Sequence, residues 1–198
     1  MKRIYFISLL LFVWATTFAQ TERGKFMVSG RSSIDFIYSN TKFKGSSIQS
    51  SEATGETYNF NIAPALGYFV VNDFGISLQT SYAISNGNTD SQMSQFSVLP
   101  GVIYYVPTGS IVRPFVQAGG GYVNISTKIP LSSGGKATNW FNGYMLAGGV
   151  GVAFFVRENI SIELAGQYAS VKTSFSGDSS IKMNMDGFSG SIGFSLFF

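Results

Sequence analysis

From residue 26 to the end, apolar side chains recur at every second position, and no stretch carries the 3.6-residue period of a helix. Turn residues divide the alternation into eight predicted strands, at about 26–39, 56–71, 74–86, 93–106, 111–127, 139–156, 160–174 and 183–198. Each is longer than the five or six residues common in soluble sheets. The apolar row stays on even numbers throughout, from Phe26, Val28 and Ile34 through Leu66, Ile76, Leu78, Val102, Val116 and Val150 to Ile162 and Leu164. The odd row holds Ser29, Arg31, Asp35, Asn61, Ser77, Gln79, Arg113, Gln117, Glu163 and Gln167 among glycine and alanine. Two faces of opposite polarity therefore run through all eight strands.

Alternation alone does not say which face points outward, and a soluble lipocalin-like barrel would enclose the apolar row. The connections argue for the other arrangement. "ND" at 72–73, "PTGS" at 107–110 and "REN" at 157–159 are tight, whereas 40–55, 87–92, 128–138 and 175–182 are longer, an asymmetry found in outer-membrane barrels. Aromatic residues fall near the strand ends on the even row. One rim holds Tyr38, Tyr58, Tyr82, Tyr122, Tyr144, Tyr168 and Phe188, and the other Phe26, Tyr68, Phe74, Tyr104, Phe154 and Phe198. Tyr58 and Tyr68 are ten residues apart, about 25 Å in a tilted strand, which is the height of the lipid-facing band of such barrels. Charged residues make up only 12% of the chain, about half the share of a typical soluble domain.

The start of the chain adds a compartment. "MKRIYFISLLLFVWATTFAQ" has a basic beginning, an apolar run from Ile4 to Trp14 and small residues at Thr17 and Ala19, the pattern of a cleaved secretory signal. The expected organisation is residues 1–19 as signal peptide and 20–198 as one barrel domain. The apolar run is too short for a membrane-spanning helix, which needs about 20 residues. Loss of Lys2 and Arg3 lowers the formal charge from +3 to +1, so the basic isoelectric point gives no reason to expect a nucleic-acid partner.

The last strand, "GFSGSIGFSLFF", alternates to a terminal phenylalanine. Taken with the signal and the eight alternating strands, it resembles the small OmpA/OmpX-like outer-membrane β-barrel family, often labelled porin-like, over the whole mature chain. The resemblance implies an all-β fold: an eight-stranded, antiparallel, up-and-down transmembrane β-barrel in the bacterial outer membrane. It also implies periplasmic termini, short periplasmic turns and longer extracellular loops. Phe188, Gly190, Ile192, Phe194, Leu196 and Phe198 then correspond to the signal read by the barrel assembly machinery. Outer-membrane lipid and lipopolysaccharide are the expected surroundings, and the loops are the place for an extracellular ligand.

Candidate chemistry is sparse. The chain has no Cys and no His, which excludes thiol nucleophiles, disulfides, zinc–thiolate sites and imidazole bases. The glycine runs "QAGGGYV" and "LAGGVGV" lack the Lys-Ser/Thr ending of a nucleotide loop. They are expected to pair, with Gly119 opposite Gly149 and Gly120 opposite Gly148. Arg31, Asp35, Arg113 and Glu163 share the inward row and are expected to form a charge network in the lumen, since an unpaired charge there would be costly. The expected function is structural and loop-presenting, in adhesion or envelope integrity, with no enzyme activity, cofactor or metal. The alternatives are a narrow porin-like channel and a lipid-modifying enzyme, the latter disfavoured by the missing histidine.

Overall fold

The computed structural model describes residues 21–44, 58–86, 91–130 and 135–198, with side chains described for 21–32 and from 60 onward. The expected signal peptide lies outside these residues. Eight strands follow one another: β1 (Phe26–Lys44), β2 (Tyr58–Val71), β3 (Phe74–Asn86), β4 (Gln92–Tyr105), β5 (Val112–Pro130), β6 (Lys136–Arg157), β7 (Ile160–Phe175) and β8 (Lys182–Phe197). Each pairs antiparallel with its neighbours in sequence, and β8 pairs with β1, which closes the barrel. The final seam is made by the chain ends themselves. Phe198 N–H donates to the Phe26 carbonyl at 2.9 Å, and Phe26 N–H returns to the Phe198 carbonyl at 3.1 Å. The sheet thus closes on itself.

Following paired residues once round the wall gives the stagger. The path Phe26, Tyr68, Ile76, Val102, Ala118, Gly148, Tyr168, Phe188 returns to β1 at Tyr38, twelve positions beyond its start. A stagger of that size over eight strands requires a steep tilt, about 45°. The start of β1, the end of β8 and the three tight turns lie at one end, the turn end, and the strand ends that lead into the longer connections lie at the other, the loop end.

The even row faces outward, as the alternation predicts. Phe60, Leu66, Ile76, Leu78, Val116, Leu146, Val150, Leu164 and Phe194 are exposed on the barrel exterior, a surface suited to lipid and costly in water. Of the aromatic residues placed at the rims, Tyr68, Tyr82, Tyr104, Tyr122, Tyr144, Phe154 and Tyr168 are exposed there and Phe74 is half-buried. Adjacent rings meet at both levels: Phe26 and Tyr68 at 5.0 Å between centroids, and Tyr168 and Phe188 at 4.8 Å. Tyr38 and Tyr58 lie in β1 and β2, with their side chains outside the described residues.

Three features differ from the sequence expectation. Several strands run past their predicted loop-end limits: β1 continues to Lys44, β5 to Pro130, and β6 starts at Lys136 and spans 22 residues. The hairpin ladder goes on above the apolar band because polar residues such as Thr127 and Lys128 pair with Asn139 and Thr138 as well as apolar ones do. The second difference is the β5–β6 register. Gly119 lies opposite Ala147, and Gly120 opposite Leu146, two residues from the expected pairing, so the glycine runs are offset rather than matched. A side chain on Gly120 would sit 2.6 Å from Leu146 Cδ2, so the glycine accommodates that leucine.

The third difference is the lumen, which is not simply polar. Met27, Phe69, Ile103, Tyr105, Phe115, Ala153, Phe155 and Phe197 pack together at the turn end. Leu99, Val123, Ile125, Phe141, Met145, Val171 and Met183 form a second apolar cluster toward the loop end. These side chains are on the odd row, where short polar residues and glycines between them mask the apolar character in sequence. Inward glycines make the room. A Cβ on Gly151 would meet the Phe115 ring at 2.4 Å, and one on Gly67 would meet Met27 Cε at 2.9 Å. In so narrow a barrel, large and small residues must alternate around the wall.

The assignment of faces makes a direct prediction. Leu78→Arg places a charge on the lipid face and should lower unfolding stability by about 2–4 kcal/mol, the cost of a midplane Arg facing lipid. Gln79→Arg enters the lumen beside other polar groups and should cost much less. Urea unfolding of both variants in lipid vesicles measures the difference, and the reverse order would mean that the faces are exchanged.

Candidate functional site in the barrel lumen

The lumen holds one polar layer between the two apolar clusters. Arg31 on β1 and Glu163 on β7 are both Cα partners of Gly193 on β8, so they stand two strands apart with a glycine between them. A Cβ on Gly193 would fall 2.6 Å from Arg31 Cγ and 2.6 Å from the Gly30 carbonyl oxygen. The missing side chain lets the arginine lie across β8. Its Nη2 and Nε then donate to Glu163 Oε2 at 2.9 and 3.1 Å. The other carboxylate oxygen, Oε1, accepts from Tyr105 Oη at 2.9 Å, Ser195 Oγ at 2.7 Å and Ser161 Oγ at 3.4 Å. Glu163 is 1% exposed and Arg31 8%, so this ion pair is sealed from bulk water.

The layer reaches across the barrel. Arg31 Nη1 donates to Gln117 Oε1 on β5, and Gln117 Nε2 donates to Gln167 Oε1 on β7 at 3.2 Å. Tyr105 extends to Glu163 from β4. The guanidinium of Arg31 also lies over the Phe115 ring, 5.4 Å from its centroid. Both charges are thus paired and hydrogen-bonded, the condition under which a buried ion pair is tolerated.

Arg113 belongs to a different group. It lies at the turn end, where Nη1 donates to Thr21 Oγ1 at 2.7 Å and forms an ion pair with Asp73 Oδ1 at 3.3 Å. Thr21 Oγ1 in turn donates to Asp73 Oδ1. The backbone completes a latch: Asp73 N–H donates to the Thr21 carbonyl at 2.7 Å, and Tyr105 N–H to the Asp73 carbonyl at 2.8 Å. Asp73 adopts a positive φ of 64°, a turn conformation that Asp tolerates better than most residues. Among the described residues the ion pairs are Arg31–Glu163 and Arg113–Asp73, so Arg113 engages a carboxylate that was not among the four expected charges. Arg113 and Glu163 are both Cα partners of Ala153 on β6, and the two-residue turn at 72–73 supplies Arg113 with a second carboxylate close by. Asp35 lies in β1 at a register shift between Ile34 and Tyr38, and its side chain lies outside the described residues.

Sequence reasoning missed Tyr105, Gln117, Gln167, Ser195, Thr21 and Asp73 as members of these groups. Gln117 and Gln167 did carry a signal, being long polar residues on the inward row near Arg31 and Glu163 in register. Above the ion pair a small cavity of about 30 Å3, enough for a water molecule or two, is lined by Ser77, Gln79, Gln117 and Gln167 and by the thin wall at Gly101, Gly119 and Gly148. Beside it the β4–β5 pairing is interrupted. It runs to Val98–Tyr122 and resumes at Gly101–Gly119, and the gap contains Pro100, which has no N–H to give.

With this geometry established, the comparisons can be read. Residues 22–195 match the OmpW family. The chain belongs to that family. Solved structures of the same architecture include outer-membrane protein OprG from Pseudomonas aeruginosa, at 16% identity, with 90% of this chain and 98% of that one covered and a TM-score of 0.56. AlkL, determined in lipid bilayers by solid-state NMR, gives 16% identity, coverage of 89% and 91%, and a TM-score of 0.59. Neisserial surface protein A gives 16% identity, coverage of 87% and 96%, and a TM-score of 0.53. No curated protein sequence matches the chain. At such identities the structural likeness establishes the fold, and the family match identifies an outer-membrane β-barrel.

In this OmpW-family barrel the polar layer should dominate lumen energetics. Arg31→Met or Glu163→Gln alone leaves a buried partner unmatched and should cost about 3–5 kcal/mol, with part recovered in the double variant. Arg113→Met combined with Glu163→Gln should recover less, since Arg113 is also paired with Asp73. A double-mutant cycle by urea unfolding measures both couplings. In the same assay Gly193→Ala should destabilise strongly through its contact with Arg31, whereas Gly166→Ala, with no heavy atom within 4 Å of the new Cβ, should be nearly neutral.

Proposed function

We propose that this OmpW-family barrel is a non-enzymatic structural protein of the outer membrane, with periplasmic termini and the loop end presented outside. The observation that carries this reading is the closed lumen. A paired Arg31–Glu163 layer, roofed and floored by apolar clusters, supports a barrel that holds its loops in place rather than one that conducts water and ions. A narrow eight-stranded lumen filled by side chains has no continuous aqueous path. The two charge groups serve packing in this reading, and neither includes a His or Cys that could act as base or nucleophile.

The terminal row Phe188, Gly190, Ile192, Phe194, Leu196 and Phe198 serves insertion by the barrel assembly machinery. Its backbone is needed for the closing seam with β1, so recognition and closure fall on the same strand. The rim aromatics hold the barrel in outer-membrane lipid and lipopolysaccharide. The connections beyond Lys44, Asn86, Pro130 and Phe175 are the surface available to an extracellular ligand, in adhesion or in contacts that maintain the envelope.

A second reading, passage of small solutes, draws on the interrupted β4–β5 ladder at Pro100 and the cavity beside it. In that reading a solute would cross the thin wall rather than traverse the plugged lumen. Planar-bilayer recordings on the refolded mature chain separate open channels from closed ones. The structural reading expects no steady conductance, and a stable open state would move the channel reading to first place.

A further inference from the structure

The lysines of this chain are distributed in an unusual way. Every lysine after Lys25, namely Lys42, Lys44, Lys128, Lys136, Lys172 and Lys182, is even-numbered and lies near the loop end of a strand. The lumen charges, in contrast, include arginines. Lys128, Lys136, Lys172 and Lys182 are exposed on the barrel exterior. Three of the strands bring lysine positions together. Lys172 on β7 and Lys42 on β1 are both Cα partners of Asn184 on β8, and two positions on, Ser174 and Lys44 are both Cα partners of Lys182; the side chains of Lys42 and Lys44 lie outside the described residues.

The height of this cluster is fixed by its neighbours. Lys172 is the Cα partner of Tyr144 and lies four positions beyond Tyr168, whose ring meets Phe188 at 4.8 Å. The lysines thus begin at the aromatic rim and continue away from the apolar band, at the depth of lipid headgroups. Opposing charge is scarce. Among the described residues the carboxylates near this collar are Asp186 and Asp178. Asp186 lies on the outward row of β8 between Ser170 and Asn40, one row nearer the aromatic rim. Asp178 accepts the Ser180 N–H at 2.9 Å, a bond that holds its carboxyl below the usual range and keeps it ionised, so the lysines outnumber the carboxylates without being free of them. On the same outward row, Trp140 stands four positions beyond Tyr144 toward the loop end and is 50% exposed. An indole left half in water above the rim offers a flat apolar face to a sugar ring.

We propose that the outward lysines of β7 and β8, Lys172 and Lys182, with Trp140 on β6, form a binding surface for a phosphorylated glycolipid of the surrounding leaflet. The lysines pair with phosphates on its sugar headgroup, Trp140 packs on the sugar, and the acyl chains follow the apolar wall below. Lysine suits the task because its flexible stem lies along the apolar wall while the ammonium reaches the headgroup layer. The collar is one-sided: β2, β3 and β4 carry no lysine, so one flank of the barrel is dressed by this lipid. This inference rests on the reading that the loop end lies outside, where such glycolipids are found.

The test uses the refolded mature chain in neutral detergent, where Trp140 is the sole tryptophan once Trp14 has left with the signal. Rough-type lipopolysaccharide with intact lipid A phosphates should bind saturably, read by Trp140 fluorescence and calorimetry, and more weakly as salt rises. Each lysine near an anionic lipid surface is worth about fivefold in affinity, so Lys172→Gln with Lys182→Gln should weaken binding about 25-fold. Lys25→Gln, at the turn end, should leave it unchanged. A heat-modifiability gel confirms that each variant is folded. Equal binding of dephosphorylated lipopolysaccharide, equal competition by phosphatidylglycerol or inorganic phosphate, or binding by the double variant within twofold of the parent would overturn the proposal. Labelling of Ser179→Cys by an impermeant maleimide on intact cells tests the orientation separately. An unlabelled loop end would refute the external reading whatever the micelle result.

Discussion

A backbone that crosses lipid must satisfy every N–H and C=O internally, and a sheet can do so only by closing on itself. That requirement explains why the chain's first strand and last residue meet, with Phe26 and Phe198 exchanging backbone hydrogen bonds. Closure over eight strands fixes the stagger and tilt, and these bring the rim aromatics of distant strands to two common levels. It also fixes parity. A single-residue slip anywhere would turn serines and arginines into lipid and leucines into the lumen, so every register shift must preserve the faces. The shift in β1 between Ile34 and Tyr38 does so, since both remain on the even row.

Closure also sets a tight limit on volume. The inside of eight strands is wide enough for side chains and little else, which makes packing the second constraint. The lumen is filled by two apolar clusters, and the charged groups occupy what remains. Arg31 can lie flat toward Glu163 only because Gly193 is between them, and Phe115 has space only over Gly151. Glycine in these strands acts as a spacer for particular neighbours, without any need for unusual backbone angles. Other glycines thin the wall near Gly101, Gly119 and Gly148, where Pro100 also interrupts the ladder. Space inside the lumen and thinness of the wall thus draw on the same residue type at different positions.

The outer surface is organised by height. Apolar side chains meet acyl chains, aromatic rings mark the interfaces, and lysines begin where the rings end. Arginine and lysine divide accordingly. Arg31 and Arg113 are held inside by several fixed acceptors and by the faces of Phe115 and Phe155, a setting that suits a planar, multiply donating cation. Among the described residues the outward lysines, on their flexible stems, stand exposed beyond the aromatic rim.

The strand number and the division into two faces were legible in the sequence, because they depend on a period of two that each residue reports by its own position, and the connection lengths, rim aromatics and scarce charges told which face meets lipid. Leu78 and Gln79 declare opposite sides without reference to any other strand. Contacts were less legible. Arg31 and Glu163 could be assigned to the same face but not to each other, since their meeting depends on the register of β8 with both β1 and β7. The β5–β6 offset and the capture of Arg113 by Asp73 and Thr21 lie beyond local pattern for the same reason. Sequence alone determined which residues point inward and which outward, because side-chain direction along a strand is a local property of the backbone. Only the closed tertiary structure decided which inward residues touch, because that is set by the stagger accumulated around the whole barrel and by the volume it leaves to fill.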